Sequence, residues 1–193
     1  VSRRTLPFLV LVLAGCEPSG GTILIPESTP PSGDDDDDVD DDDADDDDAF
    51  QNTDSLVINE LMSANDSAIF DDGGLATDWI ELYNGTEETI ELGGWTLTDD
   101  WRSPDLSTLP AGLAVESGGH LLLWAGGDAS RGPRHLDFSL ERAGEAIGIF
   151  DAEGREVQWL PFPALPRDHS WSRVRDGWED WEQVFGGTPG RAN

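Results

Sequence analysis

Apolar residues fall into three regimes along this chain. Leu6-Pro7-Phe8-Leu9-Val10-Leu11-Val12-Leu13 is a near-continuous apolar stretch behind Arg3 and Arg4, and residues 17–53 carry only one short apolar patch, Ile23-Leu24-Ile25. From Asp54 onward, short apolar or alternating runs recur: Leu56–Met62, Trp79–Tyr83, Trp95–Thr98, His120–Trp124, Ala146–Phe150 and Glu156–Trp159. None of them carries a sustained helical period, and runs of this length are predicted to be strands. Between them stand Asn84-Gly85, Gly93-Gly94, Gly118-Gly119, Gly126-Gly127 and Glu153-Gly154, the glycine-bearing turns that hairpins require. Many short strands with such turns predict an all-β sandwich or barrel. Strand alternation puts Ile80 and Leu82 on one face, and Trp95 and Leu97 likewise, so these four are predicted core residues. Core packing is also the expectation for Trp79, Trp124 and Trp159, which fall within the strand patterns.

The first apolar stretch is too short to span a bilayer as a helix and has the charge order of a secretory signal. It ends in Leu13-Ala14-Gly15-Cys16, which resembles the lipobox of bacterial lipoproteins. That resemblance implies cleavage before Cys16 and lipidation of its thiol. With Glu17 rather than aspartate next, it also implies sorting to the outer membrane or cell surface. Burial contributes about 0.8 kcal/mol per CH₂, so one acyl chain holds reversibly and the three implied here hold stably. The expected organisation is a signal peptide over 1–15, a lipidated cysteine with a disordered acidic linker over 16–53, and one folded domain over 54–193.

Charge sharpens the linker and excludes a class of partner. The chain has 41 acidic and 11 basic residues, for a net charge of −30, and all the basic residues are arginine. Asp34–Asp38, Asp40–Asp43 and Asp45–Asp48 occupy 13 of 15 consecutive positions. Self-repulsion at that spacing extends the segment, and at ~3.3 Å per residue the 37 residues 17–53 reach on the order of 120 Å. An EF-hand loop starting at Asp34 needs glycine where Val39 stands and glutamate where Asp45 stands, so the run lacks that calcium motif. Residues 54–193 hold nine arginines against 26 acidic residues. A nucleic-acid partner, which needs a clustered basic surface, is not expected. Cys16 is the only cysteine, so packing rather than an intramolecular disulfide must stabilise the domain.

Ile58-Asn59-Glu60-Leu61, Asp78-Trp79-Ile80-Glu81-Leu82-Tyr83-Asn84 and Leu92-Gly93-Gly94-Trp95-Thr96-Leu97-Thr98-Asp99 together resemble the opening of a lamin-tail domain. Gly119–Ala125, Asp137–Leu140, Gly144–Ile147 and the closing Thr188-Pro189-Gly190-Arg191-Ala192-Asn193 follow in that family's order. The resemblance implies an immunoglobulin-like β-sandwich, a module that bacteria attach to secreted or membrane-linked proteins, and it supplies no catalytic residues to carry over.

Candidate chemistry is sparse. An enzyme would have to use His120, His135 or His169. Asp168-His169-Ser170 has the letters of a catalytic triad, but strand alternation sets His169 opposite its two neighbours. His135-Leu136-Asp137 can place two metal ligands on one strand face, or simply be exposed polar residues flanking a strand. Asp71, Asp72 and Asp78 around Gly73-Gly74 can wrap a calcium ion or form a solvated loop. Trp178 and Trp181 sit among acidic residues, where they can stack on a sugar or a cationic side chain, or pack over the end of the sandwich. The expected function is a non-enzymatic, surface-displayed binding or structural lipoprotein without a required cofactor. Its expected partners are the membrane, through the lipid, and a protein or glycan at the cell surface. A calcium- or glycan-binding adhesin is the second reading, and a cryptic hydrolase the third.

Overall fold

The structure, a computed structural model, describes residues 55–193. The predicted signal peptide, Cys16 and the predicted linker with its aspartate run lie outside the described residues. The strands are β1 (Leu56–Met62), β2 (Trp79–Asn84), β3 (Ile90–Glu91), β4 (Thr96–Thr98), β5 (Ser107–Thr108), β6 (Ala114–Val115), β7 (His120–Trp124), β8 (Ala146–Phe150), β9 (Glu156–Pro161), β10 (His169–Arg173) and β11 (Trp181–Phe185). One 3-10 turn, Ala129–Arg131, is the only helical element among the described residues.

The strands form a five-stranded sheet in the order β11-β10-β1-β2-β7, a four-stranded sheet in the order β5-β4-β8-β9, and a β3-β6 ribbon. All pairings between these strands are antiparallel. Leu56, Ile58, Leu61, Ile80, Leu82 and Leu123 of the first sheet share one buried cluster with Leu97, Ile147, Ile149 and Leu160 of the second. This is the two-layer packing of a β-sandwich.

Of the four predicted core residues, Ile80, Leu82 and Leu97 are fully buried, and Trp95 packs half-buried against the same cluster. The tryptophan expectation holds for Trp79 and Trp124, which are buried in a second, smaller cluster, and needs correction at Trp159. Since Ile80 and Leu82 face inward, alternation turns Trp79 to the other side of the first sheet, where it clusters with Met62 and Trp124. Trp159 pairs with Gly148 across β8 and β9, between inward Ile147 and Ile149, and so lies on the outer face of the second sheet.

One irregularity positions the candidate site. The β1-β2 register shifts between Ile58 and Glu60. This bulge at Asn59 lets Ile58 and Leu61 both reach the core although they are three residues apart, and directs Asn59 and Glu60 away from it.

Candidate functional site

The outward side of the first sheet carries a buried polar centre. Asn59, Glu60, Glu81 and Ser170 are all fully buried. Glu60 and Glu81 are direct cross-strand neighbours. The Glu60 carboxylate accepts from Ser170 Oγ at 2.6 Å and, through Oε2, from the Thr188 N–H and Thr188 Oγ1 at 3.0 Å each. Glu81 accepts from the Gly190 N–H and, at 3.4 Å, from Asn59 Nδ2. Asn59 Nδ2 also donates to Asp176 Oδ1 at 2.8 Å, while Asn59 Oδ1 accepts from the Gly177 N–H at 3.1 Å. Asn193 donates from Nδ2 to the Arg173 carbonyl at 3.0 Å and from its backbone N–H to Asp176 Oδ1 at 3.2 Å.

Residues 186–193 therefore lie over β1 and β2 as a strap held chiefly by two buried carboxylates. Its approach is close: a Cβ on Gly187, whose φ is +67°, would stand 2.9 Å from Glu60 Oε1 and 3.1 Å from Trp79 Cζ2. Only glycine combines that backbone with that clearance.

Burial pushes the Glu81 carboxyl up to about 7; the Gly190 N–H, His120 and Asn59 oppose the rise, and Glu60 adds to it. His120 Nε2 stands 3.2 Å from Asp176 Oδ1. Nearby, burial lowers Arg173 to about 10, which leaves it a cation at neutral pH. Its Nε donates to the Ile58 carbonyl at 2.9 Å, and the Trp178 carbonyl accepts from its Nη1. The arrangement closes the domain with charge-assisted hydrogen bonds.

The calcium expectation at Asp71, Asp72 and Asp78 is not realised as a ligand set. Asp71 turns inward: Oδ1 accepts from the Gly73 and Leu75 N–H groups, and Oδ2 from Thr77 Oγ1 at 2.7 Å and Arg131 Nη2 at 2.6 Å. Burial alone would raise its pKa, but those hydrogen bonds outweigh it and hold the carboxyl well below the usual range. Asp72 reaches Arg134 at 2.9 Å, and Asp78 caps the Asn65 N–H at 2.9 Å. Burial raises Asp78 to about 6, against that N–H. The three carboxylates thus serve three different partners, two of them arginines, Arg131 on Asp71 and Arg134 on Asp72, whose cationic heads already neutralise them. Among the described residues no group of three or more His, Cys, Asp or Glu side chains is placed to hold a metal ion.

The histidines and aromatics divide similarly. Asp168, with φ +54°, stands before β10 and accepts from the N–H groups of Asp66, Ser67 and Ala68. His169 packs edge-on to Phe185, while Ser170 faces Glu60, so the three do not form a relay. His135 is buried and stacks on Trp124 at 6.5 Å, which corrects the expectation of an exposed flanking residue, whereas Asp137 is exposed. Trp181 lies on β11, stacks on Trp171 at 5.9 Å and carries the Arg173 guanidinium 4.6 Å from its centroid. Trp178 lies in the turn before it, with Arg175 at 4.3 Å. Both of these candidate binding rings thus have partners within the chain.

The two packed antiparallel sheets define an immunoglobulin-like β-sandwich module, a fold consistent with a binding or structural role. The family model for the lamin tail domain matches residues 49–163, more than half of the chain, and the protein belongs to that family. No curated protein and no solved structure matches the chain. The family match stops before β10 and β11, which nevertheless complete the first sheet and supply Ser170 to the polar centre.

Proposed function

We propose that the protein is a lipid-anchored, non-enzymatic display module of a bacterial envelope, with Cys16 as the attachment point, the aspartate run as a stand-off and the sandwich as the presented domain. One observation supports the non-enzymatic part best. Glu60 and Glu81, two charged residues within the family's own motifs, are fully buried and bound to this chain's C-terminal strap rather than lining an open cleft. A hydrolase would need such groups free to meet substrate. The lipobox resemblance and the length of the first apolar stretch support the anchor.

Fractionation tests the anchor: Cys16→Ser should move the protein from the membrane to the soluble fraction. A variant that stays membrane-bound after a carbonate wash would overturn it. Turnover of an ester or phosphoester by the purified chain, abolished in His120→Ala, would overturn the non-enzymatic part.

A further inference from the structure

The outer face of the four-stranded sheet carries an aromatic surface that neither the core nor the strap covers. Gly148 and Trp159 are direct partners across β8 and β9. A Cβ on Gly148 would lie 2.3 Å from Trp159 Cζ3, so the indole lies over bare glycine backbone. Trp159 lines a depression of about 410 Å³ together with Trp101, Pro104, Phe150 and Glu156. A second depression, of about 320 Å³, shares Pro104 and Phe150 with the first and continues past Asp105, Asp151 and Glu153. The β4–β5 turn that presents Trp101 is held in place: Thr96 Oγ1 donates to the Pro104 carbonyl at 2.8 Å, and the Arg102 N–H to Asp100 Oδ1 at 3.0 Å. Trp101 is 66% exposed, the most exposed tryptophan among the described residues.

The charges around these rings select the occupant. Arg155 is already committed to Asp151 at 2.6 Å and Glu153 at 2.9 Å. Arg102 lies with its guanidinium carbon 4.5 Å from the Trp101 centroid, which shows the geometry a cation takes on this surface. Glu156 and Asp105, both exposed, form no ion pair among the described residues. Flat π faces beside unpaired carboxylates attract cations, and the strongly acidic domain steers them in.

We propose that the groove formed by Trp101, Phe150 and Trp159 binds a basic peptide segment, with an arginine or lysine side chain over Trp159 and its charge shared by Glu156 and Asp105. The proposal rests on the reading of the domain as a binding module and is independent of the anchor.

The test uses the full chain in detergent, labelled with 5-fluorotryptophan, and reads the eight tryptophan resonances by fluorine NMR during titration with a hexa-arginine peptide and, separately, with cellohexaose. The aspartate run also attracts the peptide, but it holds no tryptophan, and variants that change only rings keep its charge. Trp101→Ala and Trp159→Phe assign the two resonances; the second keeps an aromatic ring over Gly148 and so preserves packing. The expected result is that hexa-arginine moves the Trp101 and Trp159 signals ahead of the other six, and that Trp101→Ala and Glu156→Gln each weaken this response roughly two- to fivefold. A peptide titration that leaves both signals in place, or affinity at them unchanged by either substitution, overturns the proposal. Movement of the Trp159 signal by cellohexaose without any response to the peptide also overturns it and makes the groove a glycan site, leaving the binding-module reading intact.

Discussion

The two sheets of this sandwich use their outer faces in opposite ways. On the five-stranded sheet the outward Asn59, Glu60 and Glu81 of β1 and β2 are polar, yet fully buried, because residues 186–193 return across them and donate hydrogen bonds to Glu60 and Glu81. On the four-stranded sheet the outward Phe150 and Trp159 are aromatic, yet remain partly in contact with solvent, with Trp101 of the β4–β5 turn beside them. A polar face covered by the chain and an aromatic face left open invert the usual exposure preferences. The difference assigns closure of the domain to one sheet and leaves the other available for recognition.

The largest effect should come from the core that both faces share. Leu82→Asp must desolvate a carboxylate without a partner, at a cost of several kcal/mol against a total stability of about 5–15 kcal/mol, and should abolish the cooperative urea transition. A transition near that of wild type would mean that the buried face of β2 is assigned wrongly.

Cutting the strap should come next. Glu60→Ala removes the acceptor for Ser170 Oγ and for both Thr188 donors, and is expected to cost about 2–4 kcal/mol in urea unfolding. A loss below about 1 kcal/mol would show that the strap contributes little to closure.

Glu81 gives the same face a pH dependence. Its folded-state pKa of about 7 exceeds the ordinary 4.5, so between those values the native state binds the extra proton. Stability is therefore fully present below about pH 4.5 and falls as pH rises through 7, by on the order of 2–3 kcal/mol. Asp78, raised to about 6, acts in the same direction. Asp71, which is lowered, acts oppositely, and its contribution is lost only in acid below its ordinary pKa of 3.8. Glu81→Gln should flatten most of the slope between pH 5 and about 8 in thermal melts; an unchanged slope would remove Glu81 as its source.

The smallest effect on stability should fall on the open face. Gly148→Ala drives a methyl group into the Trp159 ring, which can swing outward, so the expected cost is only about 1–2 kcal/mol. The Trp159 fluorine resonance should nevertheless shift strongly. A large loss of stability with an unmoved ring would show that this indole is structural.

Much of the fold was legible in the sequence because six short apolar or alternating runs stand between turn residues, and all six form strands. The missed elements have physical reasons. β3, β5 and β6 span two residues each, too short to display any period. β10 reads His-Ser-Trp-Ser-Arg, and its Ser170, Ser172 and Arg173 are buried polar residues, which a search for apolar alternation passes over. The polar centre was equally hidden. Asn59, Glu60 and Glu81 resemble the wet face of a strand, and their partners in the strap lie more than 100 residues away. Only the order of the family motifs linked the two. At the acidic loop, spacing indicated a possible ligand set, but it could not reveal that Arg131, sixty residues on, already neutralises Asp71.

The bulged strand β1 also has a mechanical consequence. The chain enters the domain at Leu56, in a strand bonded to β2 on one side and β10 on the other. Tension drawn through the preceding segment would load both hydrogen-bonded ladders in shear instead of peeling an edge strand one bond at a time. A module tethered from that end and pulled by a captured partner would yield slowly, at a rate set by its unfolding barrier, because its point of attachment is also the central strand of its sheet.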